Sequence, residues 1–278
     1  MEQHPAIVLT GHKQIKLKQV NSKATKPFKD EEAAKEKLAS DIKKLSDLQE
    51  KLFAESKQAL LIVFQGMDTS GKDSVIKHVM KGINPQGCEV HSFKRPTPEE
   101  LRHDYLWRHN VALPVRGKIG IFNRSYYEDV TVVRVHKPGA HKKLWLNRFN
   151  EINNFERYLT ENGFTILKFF LHLSEEEQKK RLLARIDDKE KHWKFDVSDI
   201  SEREYWEEYQ EAYEDVLRHT STKNAPWIII PADFKWSAHL TVAHFTVKAL
   251  EKIGPQFPKL SASRETEIRK ARKLLLRK

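Results

Sequence analysis

The distribution of apolar positions along the chain predicts alternating strands and helices. Short apolar runs bounded by turn residues predict five strands, at 59–65, 88–93, 118–122, 164–173 and 227–231. Their apolar and polar residues do not alternate cleanly, which is typical of strands buried on both faces of a parallel sheet. Segments with apolar residues at helical spacing lie before and between them, at 31–55, 71–82, 98–110, 141–161, 174–187 and 202–220. We therefore expect an α/β protein, a three-layer α/β/α sandwich with a five-stranded parallel sheet.

The two ends of the chain differ from this central pattern. Residues 1–30 are polar and lysine-rich without a clear period, which predicts an irregular N-terminal arm. The periodic part runs over 31–255, and residues 256–278 are predicted to form a basic C-terminal helix. In parallel sheets of this kind ligands bind beyond the carboxyl ends of the strands, so the residues after each apolar run are the candidates for chemistry.

Composition and charge narrow the possible partners. The chain has 278 residues and a formal net charge of +11, which favours a polyanionic partner such as nucleic acid, a membrane surface or a phosphate-rich substrate. No apolar run approaches the roughly 20 residues that span a bilayer, and the N-terminus does not resemble a signal peptide, so we expect a cytoplasmic protein. With Cys88 as its single cysteine, the chain can form neither an intramolecular disulfide nor a thiolate metal cluster of its own.

A glycine-rich loop, GMDTSGK at 66–72, joins the first predicted strand of the sheet to a helix. It matches the pattern G-x-x-x-x-G-K of phosphate-binding loops and has the strand and helix flanks that this motif requires. Glycines let backbone N–H groups converge on phosphate oxygens, and the helix N-terminus adds partial positive charge. We expect phosphate binding by Gly66, Thr69, Ser70, Gly71 and Lys72.

Two aspartates make this loop unusual. Asp73 stands where the motif normally has the Ser or Thr that binds magnesium. It either points away as a favourable residue of the first helical turn, the alternative we favour, or reaches the phosphate through a metal. Asp68 lies in the middle of the loop, where it can hold Mg²⁺ or orient an attacking phosphate; the alternative is a turn residue bonded to loop N–H groups.

The stretch NRSYYEDV follows the third predicted strand, at 123–130. Arg124 is placed for a bidentate grip on a phosphoryl group. Carboxylates follow at Glu128 and Asp129, and Asp129 together with Asp68 predicts a magnesium site that replaces the missing hydroxyl ligand. A helix cap formed by Ser125 and Glu128 explains S-x-x-E without any chemistry.

Basic residues follow two further strands. Lys94 and Arg95 form a pair suited to a second phosphate-bearing substrate. Arg181 and Arg185 lie four residues apart on one helix face, after a predicted cap at Ser174, and could close over a phosphoryl group as a lid.

The remaining polar candidates have either two possible roles or a structural role alone. Asp233 and Lys235 after the last strand could approach a nucleotide base or serve only as cap and surface residues. We assign His103 and His109 to structure, because neither has a partner at metal-ligand spacing.

Several segments together resemble the type 2 polyphosphate kinase family. They are GMDTSGKD, the stretch from INPQGCEV to NRSYYEDV at 83–130, KKRLLARIDDKEKHWKFDVSDISER at 179–203, and YEDVLRHTSTKNAPWIIIPADFKW at 213–236. The resemblance covers about residues 31–255. NRSYYEDV is similar to the subgroup that phosphorylates both nucleoside monophosphates and diphosphates.

The resemblance implies a P-loop kinase core with a helical lid at about 175–200, Mg²⁺ dependence and homodimers or homotetramers. Its substrates would be inorganic polyphosphate with AMP and ADP, with neither nucleic acid nor membrane as a partner. Asp68 would bind magnesium and activate the nucleotide phosphate, with Asp129 as second ligand. Lys72 and Arg124 would grip the transferred phosphate, and Glu128 would help to admit monophosphates.

Two other functions remain open at this point. An ATP-using nucleotide kinase of the thymidylate kinase type would have the same fold and loop but another phosphate donor. A nucleic-acid-binding protein with a vestigial loop would account for the basic charge, but the sequence contains no recognisable nucleic-acid module.

Overall fold

The computed structural model describes residues 4–136 and 142–276. The first three residues of the predicted arm, the first residue of the helix predicted at 141–161 and the last two residues of the predicted C-terminal helix lie outside these ranges. Within them, no helix is both long and apolar enough to cross a membrane.

A single sheet of six strands forms the centre of the molecule. Its strands are β1 (Ile7–Leu9), β2 (Ala59–Gln65), β3 (Cys88–Ser92), β4 (Ile119–Asn123), β5 (Phe164–His172) and β6 (Trp227–Pro231), in the spatial order β1-β6-β5-β2-β4-β3. The five predicted strands are all present and parallel. The predicted strand count is wrong by one, because β1 from the N-terminal arm adds an antiparallel edge strand to β6.

Ten α-helices surround this sheet in the described ranges. They are α1 (Glu31–Glu55), α2 (Lys72–Val79), α3 (Trp107–Val111), α4 (Glu128–His136), α5 (Lys142–Glu161), α6 (Glu175–Ile186), α7 (Ser198–Glu202), α8 (Trp206–Thr220), α9 (Lys235–Ile253) and α10 (Ala262–Leu275). One apolar core joins the sheet to α1, α2 and α9, and a second joins its other face to α4, α5 and α8. The predicted three-layer α/β/α sandwich is therefore confirmed.

Local hydrogen bonds explain where individual helices begin and end. Helix α1 begins after Asp30, whose side chain accepts a hydrogen bond from Ala33 N at 2.9 Å, and ends at Ser56 in a left-handed conformation. The predicted helix at 98–110 is wrong in extent, since only a 3₁₀ turn (Glu100–Arg102) and α3 form there. Between them His103 is extended, and Asp104 accepts from Leu106 N at 3.0 Å in a local turn that competes with helix formation.

The N-terminal arm packs on its own domain near the carboxyl edge of the sheet. Ser22 accepts a backbone hydrogen bond from Asp233 N at 3.1 Å, and its hydroxyl donates to the Asp233 carboxylate at 3.1 Å. Val20 O contacts His172 at the end of β5. The arm thus supports the edge at which the loops after β2, β4, β5 and β6 meet.

Candidate active site

The loop between β2 and α2 has the backbone conformation of a tight, glycine-dependent turn. Gly66 has φ +148°, and a Cβ added there would lie 2.7 Å from Leu171 O, so a side chain would collide with β5. Gly71, with φ +103°, precedes the first residue of α2. Thr69 adopts φ +62°, and its buried Oγ1 has no hydrogen-bond partner in the described structure. The loop therefore offers a strained backbone and an unsatisfied hydroxyl at a helix N-terminus.

Lys72 is folded back over this loop. Its Nζ donates to Gly66 O at 2.8 Å and to Met67 O at 3.2 Å. The side chain is 9% exposed, and burial, followed by the nearby Arg124, lowers the pKa of the ammonium group. A phosphate at the loop would offer this ammonium a stronger acceptor than neutral carbonyls.

Arg124 connects the loop to α4. Its backbone is left-handed, with φ +66°, and its N–H donates to Phe64 O at the end of β2. The guanidinium donates to Asp68 Oδ1 at 2.8 Å and lies 3.8 Å from Glu128 Oε2. A strained conformation that aims one arginine at two carboxylates indicates a functional cluster.

Glu128 is the most deeply desolvated carboxylate of this cluster. Burial raises the pKa of its carboxyl, although Arg124 and Lys72 oppose the shift. With the Gln65 amide oriented to satisfy its neighbours, its nitrogen donates to Glu128 Oε1 at 3.1 Å and its oxygen accepts from Ser125 N at 3.0 Å. The Ser125 hydroxyl bonds to this amide and also accepts from Tyr127 N at 3.4 Å, so contacts with Gln65 and Tyr127 stand where a pairing of Ser125 with Glu128 was predicted.

Asp129 lies beside a different set of bases. Burial raises the pKa of its carboxyl, and Arg148 and Arg108 partly offset the shift. Its Oδ2 is buried and has no hydrogen-bond partner among residues 4–136 and 142–276, while its backbone O accepts from Arg148. An unsatisfied buried carboxylate oxygen is a suitable ligand for a hard cation.

The carboxylates suit magnesium better than a metal that needs a closed protein cage. Across residues 4–136 and 142–276, no three His, Cys, Asp or Glu side chains are grouped closely enough to hold a metal by themselves. Mg²⁺ commonly takes one or two carboxylates and completes its shell with water and phosphate oxygens. Asp68 and Asp129 offer such oxygens, and their joint role as metal ligands stays a prediction.

Asp73 and Asn123 form a direct pair between the loop helix and β4. Asn123 Nδ2 donates to Asp73 Oδ1 at 2.6 Å. Asp73 lies in the first turn of α2 and its carboxylate contacts the end of β4, and its role at a bound phosphate stays a prediction. The Asn123 amide is uncharged, but it gives the Asp73 carboxylate a hydrogen-bond donor. An acidic residue at position 123 would instead repel that carboxylate.

Arg181 joins the phosphate loop to the end of β6. Its NH1 donates to Thr69 O at 3.0 Å and Ser70 O at 3.1 Å, and its Nε donates to Glu177 at 2.9 Å. Its NH2 donates to two carbonyls after β6, those of Ala232 at 2.6 Å and Asp233 at 3.0 Å. The guanidinium is thus held by backbone, and a contact with a phosphoryl group stays a prediction.

The other predicted bases lie around the lid. Arg185 donates to Lys194 O at 3.2 Å and lies 3.4 Å from Asp199, so it is bound within the lid segment. Lys94 and Arg95 are exposed after β3, and Arg95 is within electrostatic range of Asp196 on the lid. These exposed cations are available to a polyanion, and their contacts with substrate stay predictions.

Several polar residues have structural roles. Ser174 caps α6 by accepting from Glu177 N at 3.2 Å, and its hydroxyl donates to Asp233 at 2.7 Å, which leaves Asp233 engaged with protein groups. His109 is buried, and burial lowers its pKa to about 3. His103 stacks on Trp107 at 3.9 Å between ring centroids. Both histidines therefore have the packing roles expected.

Sequence reasoning missed two polar links to the loop. Gln65, the last residue of an otherwise apolar strand, is fully buried beside Glu128. Gln178 on α6 donates to Asp68 O at 3.0 Å and accepts from Arg203 at 2.6 Å. The signal for Gln65 was present, since a polar residue at the carboxyl end of a buried strand faces the ligand edge.

Comparison with known proteins gives consistent matches over most of the chain. The model of the polyphosphate kinase 2 family matches residues 28–258. The chain is 46% identical over 261 residues to an ADP-polyphosphate phosphotransferase of Rhodopseudomonas palustris, covering 90% of each protein. It is 45% identical over 252 residues to an AMP/ADP-polyphosphate phosphotransferase of Meiothermus ruber, covering 90% of this chain and 94% of that protein.

A solved structure has the same fold over the whole length. The crystal structure of polyphosphate kinase 2 from Arthrobacter aurescens TC1 superposes with a TM-score of 0.92 at 40% sequence identity. The match covers 100% of this chain and 98% of that one.

Proposed function

The chain belongs to the polyphosphate kinase 2 family, and on that basis we propose that it transfers phosphate from inorganic polyphosphate to AMP and ADP, reversibly and with Mg²⁺. The observation that carries this proposal is the cluster in which Arg124 joins Asp68 of the phosphate loop to Glu128 of α4. It combines an anion-binding loop with one arginine and two carboxylates at one edge of the sheet, after β2 and β4. Such a cluster suits the transfer of a phosphoryl group between two phosphate-bearing substrates.

The reaction needs positioning and charge neutralisation more than proton transfer. A terminal oxygen of the nucleotide phosphate attacks the terminal phosphorus of polyphosphate; a P–O bond forms to the acceptor, and the bond to the shortened polyphosphate breaks. The acceptor oxygen is already ionised, so no strong base is required. Lys72 and Arg124 hold the transferred group between the two substrates and offset its charge.

Magnesium is proposed to be held by Asp68 and Asp129, with water and phosphate oxygens as further ligands. When bound, Mg²⁺ would neutralise charge on the phosphate oxygens and orient them. The support for this is the pair of carboxylates, one of which has a buried oxygen without a hydrogen-bond partner in the described part of the chain. In the same proposal, Asp68 also orients the nucleotide phosphate through its contact with Arg124.

The donor is proposed to bind along the exposed cations near the lid. Lys94 and Arg95 lie on the surface after β3, and Arg185 lies on α6, where it is half-buried and bonded to Lys194 O. A polyphosphate chain carries about one negative charge per phosphate, so several separated bases can bind it at once. Arg181 is proposed to hold the loop in shape beneath this donor path.

Acceptance of monophosphates as well as diphosphates is assigned to Glu128. Its carboxylate lies beside Arg124 and is desolvated, so it can hold a cation or a water next to a shorter acceptor. Replacement of Glu128 by Asn is expected to lower the rate with AMP more than the rate with ADP. An unchanged ratio of the two rates would refute this role.

The proposed reaction is tested by incubation with long-chain polyphosphate, Mg²⁺ and AMP, without ATP, followed by chromatography of the nucleotides. Formation of ADP and then ATP is the expected result. Product from ADP alone would restrict the acceptors to diphosphates. No product from either, with turnover on addition of ATP as donor, would favour the ATP-using nucleotide kinase instead.

The assembly is proposed to be a homodimer or homotetramer, as the family resemblance implies. Sedimentation equilibrium of the purified protein tests this directly. A mass equal to that of one chain at micromolar concentration would contradict it.

A further inference from the structure

A charged pair lies in the apolar core directly behind the candidate site. Lys168 occupies a position on β5 between Ile166 and Phe170, which belong to the core under α4, α5 and α8. The side chains of Lys168 and of Glu156, on α5, are 0% and 1% exposed, and their charged atoms lie 2.6 Å apart. Neither residue belongs to the phosphate-binding groups described above.

Every polar atom of this pair has a partner. Lys168 Nζ donates to Glu156 Oε2, to Tyr127 OH at 2.9 Å and to Thr220 O at 2.6 Å, which uses all three of its N–H groups. Glu156 Oε1 accepts from the hydroxyls of Tyr126 and Tyr127, each at 2.8 Å. The pair therefore joins α5, β5 and the end of α8 to the two tyrosines that precede α4.

Stability alone does not require such a pair. Apolar side chains of similar volume are often at least as favourable, because desolvation of two charges offsets much of their attraction. The pair instead fixes the orientation of two side chains, since its hydrogen bonds hold the hydroxyls of Tyr126 and Tyr127. Those tyrosines immediately precede Glu128 and Asp129, and Tyr127 O accepts from Thr131 N at 2.9 Å in the first turn of α4.

We propose that Lys168 and Glu156 are positioning residues, which hold Glu128 and Asp129 at the site through the hydroxyls of Tyr126 and Tyr127. The proposal deepens the proposed function, because it assigns the two carboxylates of α4 their fixed geometry toward magnesium and the acceptor. It also explains a lysine in the middle of a strand whose neighbours on this face, Ile166 and Phe170, are apolar.

The sharpest variant removes only the hydroxyls. The double substitution Tyr126→Phe and Tyr127→Phe keeps both rings, and it keeps the ion pair together with the bond from Lys168 to Thr220. The matched control is Val247→Ala on α9, a buried residue in the core on the opposite face of the sheet, which lowers stability without touching α4. Thermal unfolding of both variants shows whether their losses of stability are comparable.

The first readout needs no substrate. Hydrogen exchange in the peptide 128–136, followed by mass spectrometry on the protein alone, is expected to be faster in the double variant than in the wild type. The control is expected to exchange in this peptide like the wild type. Equal exchange in all three proteins would overturn the proposal, since the hydroxyls would then not hold α4.

The second readout is the dependence of turnover on Mg²⁺. The concentration for half-maximal activity is expected to rise about 10-fold in the double variant, as is typical when partners that orient metal ligands are removed. The KM for polyphosphate is expected to stay unchanged, because other groups bind the donor. An unaltered Mg²⁺ dependence would reduce the pair to a purely structural role. Failure of the wild type to use polyphosphate would refute the proposed function instead, and the exchange result would still test the positioning.

Discussion

Replacement of Arg181 by Met is expected to destabilise the protein before any substrate is bound. The arginine donates to four backbone carbonyls, two in the phosphate loop and two after β6. Its side chain is 7% exposed in the ion pair with Glu177, so little water is available to replace these bonds. A phosphate-binding arginine on an open lid would show the opposite behaviour, with no cost in the substrate-free protein.

The magnitude follows from the bonds that are lost. At about 1 kcal/mol net for each hydrogen bond, four carbonyls amount to about 4 kcal/mol. The bond to Glu177, whose side chain is 19% exposed, adds about 1 kcal/mol. For a domain of this size the total corresponds to a fall in the unfolding midpoint of about 10 °C.

Arg185→Met is the matched control, since it removes the same side chain one turn further along α6. Arg185 makes two longer contacts, at 3.2 and 3.4 Å, within the lid, so its loss is expected to cost less than about 1 kcal/mol. Differential scanning calorimetry of both variants without substrate checks the difference. A midpoint for Arg181→Met within about 2 °C of the control would refute the assignment of Arg181 as the residue that holds the loop.

Three further changes test the site. Asp68→Asn is expected to abolish turnover with the fold intact, measured by product formation and circular dichroism; full activity would exclude the metal role. Asn123→Asp places a second carboxylate 2.6 Å from Asp73 and should lower activity at least about 10-fold, whereas adding Asp73→Asn should restore it; no rescue would exclude this pairing. Burial raises the pKa of Glu128 above 4.5, the ordinary pKa of a glutamate. The folded protein therefore loses stability as the pH rises above 4.5 and this carboxyl must ionise in a buried position. Glu128→Gln should therefore unfold at a higher temperature than the wild type at pH 7 and equally near pH 4, and a gain at both pH values would contradict the titration.

The fold was largely predictable because its strands are continuous apolar runs. Both β2 and β6 have the predicted limits, β3 and β5 end one residue early, and β4 is shifted by one residue at both ends. The edge strand β1 was missed because three residues, two of them exposed, show no period. The helix around α3 was predicted too long, because apolar spacing does not reveal that the Asp104 side chain accepts a hydrogen bond from Leu106 N.

The sequence predicted those residues of the candidate site that directly follow a strand. Asp68, Lys72, Arg124 and Glu128 follow β2 and β4, and neighbouring parallel strands bring their ends to one edge. The partners of Arg181 and Lys168 could not be predicted. Each joins segments more than 40 residues apart, and nothing in a single sequence indicates which buried acceptors will face a given base.

Transfer of phosphate from polyphosphate to the nucleotide is tested by following the phosphate itself. The protein is incubated with polyphosphate uniformly labelled with ³²P, unlabelled AMP and Mg²⁺, and the label in each nucleotide position is determined after separation of the products. Label is expected in the β-phosphate of ADP and in the β- and γ-phosphates of ATP, with none in the α-phosphate. Formation of ADP or ATP without label would show that the phosphate comes from another donor, and would refute polyphosphate as the donor.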